Sequence, residues 1–300
     1  MSTPPPPPPP PWGPQGPGQP PTPPAYPPGQ WEVQNFGNDP LVSTDLGSWI
    51  SKTVDALKRS WKNIVIVQLL VNIPVLILSL LLRAIGTSST TFTDGTFNGS
   101  DGTALGGILG VGLLVLIASF VCNAVGAVAA SAIIAGDAAN GSATTTWQQG
   151  LEAGKKRIGR AVIAALMVAA VCLAGTILCI IPGIIAAIVF TGTQAGVVTF
   201  ERDTNVISRG WELTKPRLME TIGRACIGLL IGIVILIPLG IIGVLFGQAG
   251  DFASTIFSSL QTAVLGSISA AAMVVNYADL RNRQTPVTSA QLANEALHTI

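Results

Sequence analysis

Enzymatic chemistry needs a nucleophile, acid–base groups or a metal in positions that can converge, and this sequence offers few. Its one histidine, His298, stands near the carboxy terminus. Glu201 and Asp203 flank Arg202, and Glu212 and Glu220 follow in a basic stretch. In that company the four carboxylates read as local charge balance rather than a pair tuned for general acid–base work. Cys122, Cys172, Cys179 and Cys226 all fall inside apolar runs and form no C-x-x-C pair, so they read as small hydrophobes rather than metal ligands or disulfide partners. No H-E-x-x-H, G-x-S-x-G, P-loop or kinase pattern occurs. The residues assign no catalytic, cofactor-binding or metal-binding position, and the expectation is a protein that is not an enzyme.

Transport would leave ionisable groups at membrane depth. The apolar runs carry none in their middles; what they carry is neutral, namely Gln68, Asn72, Asn123, Gln194, Gln261 and Asn276. These amides could line a passive pathway for a lipid-like or small polar substrate. They could equally hydrogen-bond helix to helix, at an average of about 0.6 kcal/mol per contact.

The elements that must position such residues follow from composition. Only 10% of the 300 residues are charged against 49% hydrophobic, whereas a soluble domain carries about 25% charged residues. A chain this poor in charge has lipid for most of its solvent. The formal net charge of +1 gives no reason to expect a nucleic-acid partner. Apolar runs near 64–85, 105–134, 161–181, 183–200, 225–247 and 256–278 approach or exceed the roughly 20 residues a membrane helix needs. The third and fourth are contiguous and, as one helix, would be about twice the bilayer thickness. The chain must therefore turn, and Pro182-Gly183 is the expected hairpin turn. The fold class is all-α: a polytopic membrane protein of six helices paired as three hairpins, occupying 41–283, with a cytoplasmic tail at 284–300.

Fifteen of the sixteen basic residues lie on one side of this arrangement, with Arg83 alone on the other. By the excess of lysine and arginine on cytoplasmic loops, both termini are expected to be cytoplasmic. On the inner side a frame recurs. Trp49, Trp147 and Trp211 are each followed thirteen residues on by a basic residue, Lys62, Arg160 and Arg224, and then by an apolar run; the tetrapeptide IGRA appears in the last two copies. Each copy reads as an amphipathic inner-face helix leading into a membrane hairpin. Tryptophan favours the headgroup level, and Lys155, Lys156, Arg157, Lys215 and Arg217, with the three frame cations, favour the anionic inner leaflet. These residues are expected to anchor the inner face, with membrane lipids as partners.

Residues 1–40 include an unbroken proline run from Pro4 to Pro11 and a PPAY stretch at Pro23–Tyr26. Such a tract favours polyproline II and cannot bury a core, so a disordered tail is expected; PPAY also matches the ligands of WW-type modules, a candidate protein partner. The outer segment 86–104 is rich in Ser, Thr, Gly and Asn and holds an Asn98-Gly99-Ser100 acceptor sequence. Glycines four apart, such as Gly228 and Gly232, allow close helix packing within the chain or in a homo-oligomer. Pro74 and Pro238 are expected to kink their helices.

The proline tail, the ILCIIPGIIAAIVF hairpin and the stretch VVTFERDTNVISRGWELTKPRLMETIGRACIGLL together resemble the membrane-domain family of glycerophosphoryl diester phosphodiesterases, over about 41–283. The closest likeness is to its stand-alone, proline-tailed bacterial members. The resemblance rests on Ile181-Pro182-Gly183 and on Glu201, Ser208, Trp211, Leu213, Lys215 and Arg224. It implies a multi-pass membrane protein without phosphodiesterase activity, because that activity belongs to a separate soluble barrel that no span here could hold. The expected function is a non-enzymatic membrane interaction or lipid-organising module, with a passive transporter as the alternative.

Overall fold

The structure, a computed structural model, describes residues 39–86, 102–178, 180–202, 204–248 and 250–298. The proline tract, Asn98 and most of the outer segment lie outside them. Helix accounts for 88% of the described residues and none is in a strand. Among the described residues nine α-helices follow in order: α1 Leu46–Gly86, α2 Gly102–Asn140, α3 Trp147–Lys156, α4 Ile158–Leu178, α5 Ile180–Phe200, α6 Val206–Thr214, α7 Leu218–Gln248, α8 Asp251–Asn282 and α9 Ser289–Leu297. Six of these are long and apolar enough to cross a membrane, and the chain is a multi-pass membrane protein.

Local chemistry sets the helix starts. At α1, the Asp45 carboxylate accepts from Ser48 N–H at 2.9 Å while the Ser48 hydroxyl accepts from Asp45 N–H at 3.0 Å, a reciprocal cap. These bonds hold the Asp45 carboxyl below the usual carboxylate range. At α3, Thr146 and Gln149 form the same kind of box. Asn205 caps α6 by accepting from Ile207 and Ser208 N–H, and Thr288 caps α9.

The six long helices pair as α1/α2, α4/α5 and α7/α8. Within each pair the second helix is the more buried: the apolar spans are 22% and 61% buried in the first pair, 22% and 56% in the second, and 0% and 33% in the third. The second members α2, α5 and α8 pack on one another and form the centre. The first members turn large apolar side chains outward, among them Ile77, Leu166, Leu173, Leu229, Val234 and Ile241. An apolar belt of that extent would be untenable in water and is the surface a bilayer solvates.

Several expectations are corrected. The amphipathic stretch from Trp49 is no separate interfacial helix. It contains no glycine or proline and continues without a break into α1, a helix of 41 residues, about 60 Å long and twice the hydrocarbon core. The other two copies do break, at Arg157 after α3 and at a 3-10 turn over Lys215–Arg217 that contains Pro216. α5 already begins at Ile180, so Pro182 and Gly183 fall inside its first turn rather than between the two helices. Gly183 instead permits close helix approach: a Cβ there would meet Thr176 N at 2.7 Å and Thr176 Cα at 2.8 Å. The segment 284–300 is no loose tail. Its helix α9 packs on α2 and α5 and buries Leu292 and Ala296. Asp39, just before α1, accepts from Ser289 N–H at 2.8 Å and from its hydroxyl at 2.5 Å.

Candidate functional site

α3, α6 and α9 gather at the end where each hairpin begins and finishes, and there each hairpin is fastened by a polar side chain reaching from its first helix to its second or to the turn that follows it. In the first, Asn63 donates to Thr145 O at 2.8 Å and Arg59 to Asp137 O at 3.4 Å. In the second, Arg160 donates to the carbonyls of Glu201 and Thr204. In the third, Arg224 donates to Asn276 Oδ1 at 3.1 Å and lies 2.7 Å from Asp279 Oδ2.

The third fastening is the most buried. Arg224 and Asp279 expose 3% and 2% of their side chains. Arg224 also pairs with Glu220 at 2.5 Å, one helical turn back, and Arg283 bridges Glu220 at 3.3 Å and Asp279 at 3.0 Å. Two arginines and two carboxylates thus alternate around a closed ring, which is how a buried charge is made tolerable. The Asp279 Oδ2 contact satisfies the ion-pair distance, but the donor is not aimed for a hydrogen bond.

This ring closes one end of a crevice of about 530 Å³ between α1, α5, α7 and α8. Its walls are apolar, with Ile50, Leu57, Ile188, Leu229, Ile268 and Met273 among them. Four of the residues that line it each hold a buried polar atom with no hydrogen-bond partner: Trp49 Nε1, Thr53 Oγ1, Thr221 Oγ1 and Arg224 Nε. Buried indole and guanidinium N–H groups normally find an acceptor, so four orphans in one crevice are unusual. Two are obligate donors and two are hydroxyls that can donate. The arrangement suits a ligand with an apolar body and acceptor oxygens at one end, and the volume lies within the usual range for ligand pockets. Val54 and Leu229 are exposed on its rim.

Of the residues expected to anchor the inner face, Trp49 and Arg224 are brought together in this crevice. Arg157 and Arg160 stand together elsewhere, around a polar cleft below α9. Trp147, the first residue of α3, packs half-buried on the core. Lys62 is exposed beside the Trp61 ring, 5.9 Å from its centroid. Lys155, Lys156, Trp211, Lys215 and Arg217 are exposed; Lys156 pairs with Glu152 at 2.9 Å and Arg217 with Glu220 at 3.1 Å. The expected equivalence of Lys62, Arg160 and Arg224 therefore fails at side-chain level, since one is exposed, one half-buried and one buried in a charge ring. Sequence reasoning passed over Thr53, Thr221 and Asp279, and read Glu220 only as local charge balance. A signal existed for three of them: Thr53 lies four residues after Trp49, and Thr221 and Glu220 lie three and four before Arg224, each pair sharing a helix face.

The neutral amides do not share one pathway. Asn72 and Asn123 each donate to a carbonyl one turn back on their own helix, at 2.7 Å. Asn123 and Gln194 border a separate cavity of about 200 Å³, and Asn276 serves the charge ring. Among the described residues no cluster of His, Cys, Asp or Glu could hold a metal ion. Compared with protein-family models, curated proteins and solved structures, the chain matches none.

Proposed function

We propose that this chain is a non-enzymatic lipid-interaction module of the plasma membrane, and that it holds a polar lipid in the crevice between α1, α5, α7 and α8. The observation that carries this reading is the set of four unpartnered buried polar atoms at the closed end of an otherwise apolar slot. A lipid supplies both halves of the complement: ester or phosphodiester oxygens for the donors, and a hydrocarbon chain for the walls. Because the charge ring is balanced overall, the headgroup is selected by its acceptor oxygens more than by net charge. The collection of basic residues at the ring end supports a cytoplasmic setting for that end and for both termini, so the lipid would come from the inner leaflet. The resemblance to a phosphodiesterase membrane domain fits a lipid-facing role and brings no hydrolytic chemistry with it.

The test is to purify the full chain in mild detergent and identify retained lipids by native mass spectrometry. The variant Trp49→Phe/Thr221→Val removes two donors while keeping most of the side-chain volume. At about 1 kcal/mol per lost bond, retention of the lipid should fall roughly 30-fold. Lys155→Gln, at an exposed position on α3, should change nothing. Equal retention by the double variant, or no lipid retained by the wild-type chain, would refute the reading. The passive-transporter alternative would require Asn72, Asn123, Gln194 and Asn276 to share a continuous polar path, and their separate environments favour the lipid reading.

A further inference from the structure

α8 presents two different faces at its cytoplasmic end. Asn276, Asp279 and, just past its end, Arg283 serve the charge ring, whereas Arg281 lines a second cavity of about 390 Å³, and Tyr277 and Gln284 bond the Glu201 and Arg209 side chains that line it too. This cleft draws Arg157 from the α3–α4 junction, Arg202 and Thr204 from the α5–α6 turn, Arg209 from α6, Arg281 from α8 and Glu295 from α9. Four arginines line it with two glutamates, and both acids are already engaged. Glu201 accepts from Arg209 Nε on both oxygens, at 3.0 and 2.8 Å, and from the Tyr277 hydroxyl at 2.8 Å. Glu295 is held in a fork by Arg281 at 2.5 and 2.8 Å. Arg157 donates to the carbonyls of Ala153 and Glu295. Burial, and then the charges of Arg202 and Arg160, push its guanidinium below the usual value. Among the described residues the lining therefore carries two positive charges more than negative ones, with Arg160 adjacent.

We propose that this cleft is a binding site for a phosphate-bearing anion. Guanidinium groups match phosphate oxygens in paired, planar fashion, and cations crowded into one cleft are stabilised when an anion settles among them. The Thr204 and Thr285 hydroxyls line the same cleft and extend the donor set. The volume exceeds what a monatomic ion needs and falls in the range for organic ligands, so the phosphate belongs either to a lipid headgroup or to a soluble organic phosphate. The site is independent of the crevice: it shares no lining residue with it and would stand if the crevice were empty.

The experiment uses the full chain in nanodiscs. In one arm the discs contain only phosphatidylcholine, and inorganic pyrophosphate is titrated by calorimetry at low and high salt. In the other, thermal unfolding is compared between phosphatidylcholine discs and discs mixed with phosphatidylglycerol. Salt-sensitive pyrophosphate binding that falls at least roughly ten-fold in Arg202→Gln assigns the site to a soluble phosphate. Stabilisation seen only with phosphatidylglycerol, and lost in Arg202→Gln, assigns it to a lipid headgroup. Arg202 is exposed, so that variant should fold even if Arg157→Gln does not. No response in either arm, or responses that Arg202→Gln leaves unchanged, overturns the proposal.

Discussion

A guanidinium with almost none of its surface in water is stable only when its charge is answered from more than one side. Arg224 meets that condition through Glu220 on its own helix and Asp279 on the neighbouring one, and Arg283 in turn balances both acids. Arg224→Gln would leave Asp279 buried with one charged partner fewer. Breaking such a network costs about 3–5 kcal/mol, so the variant should unfold at a markedly lower temperature in detergent. Lys62→Gln removes the cation at the same offset from its tryptophan, but from an exposed position, and should change stability by no more than about 0.5 kcal/mol. Similar losses from both variants would show that the two cations share one role after all. The sequence places these residues in one frame because spacing along the chain is visible there. The acceptor that decides burial is not, because Asn276 lies 52 positions from Arg224 and arrives only when α7 and α8 pair.

At the level of elements, the six apolar runs are legible because hydrophobic length is a property of consecutive residues; five fall inside one observed helix each, and the third, 161–181, overruns the end of α4 into α5. The turn at Pro182-Gly183 is misplaced for a physical reason. Proline is tolerated in a first helical turn as readily as just before one, and the glycine is needed for contact with Thr176 rather than for reversal. Gly183→Val should therefore disturb α4–α5 packing and cost about 1–3 kcal/mol. Gly228→Ala, where an added Cβ meets nothing, should be close to neutral; thermal unfolding of the two variants side by side checks the contrast. The helix α9 escapes a sequence reading because nine residues carry too short an apolar pattern to stand out. Its place is fixed from outside, by Asp39 at its start, by Arg157 and Arg281 along it, and by the burial of Leu292. Leu292→Ala should cost about 2–5 kcal/mol, where a frayed tail would give no change.

On the scale of the whole molecule, the arrangement is three hairpins that start and finish at one end, with second helices inside and first helices turned to lipid. That end holds the charge ring, the arginine cleft and the short helices α3, α6 and α9, so the orientation of the chain decides which leaflet and which aqueous compartment both binding sites address. Lysine and arginine near helix ends are retained on the cytoplasmic side during insertion, and here fifteen of sixteen lie at that end. The expected outcome is specific. In a chain with its four native cysteines replaced, Gly95→Cys on the segment joining the first hairpin should react with a membrane-impermeant thiol reagent added to intact cells. Gln148→Cys, on the exposed face of α3, should react only after the membrane is opened. The reverse pattern would turn the crevice toward the outer leaflet and the cleft toward the exterior, and the proposed cytoplasmic setting of both would have to be abandoned.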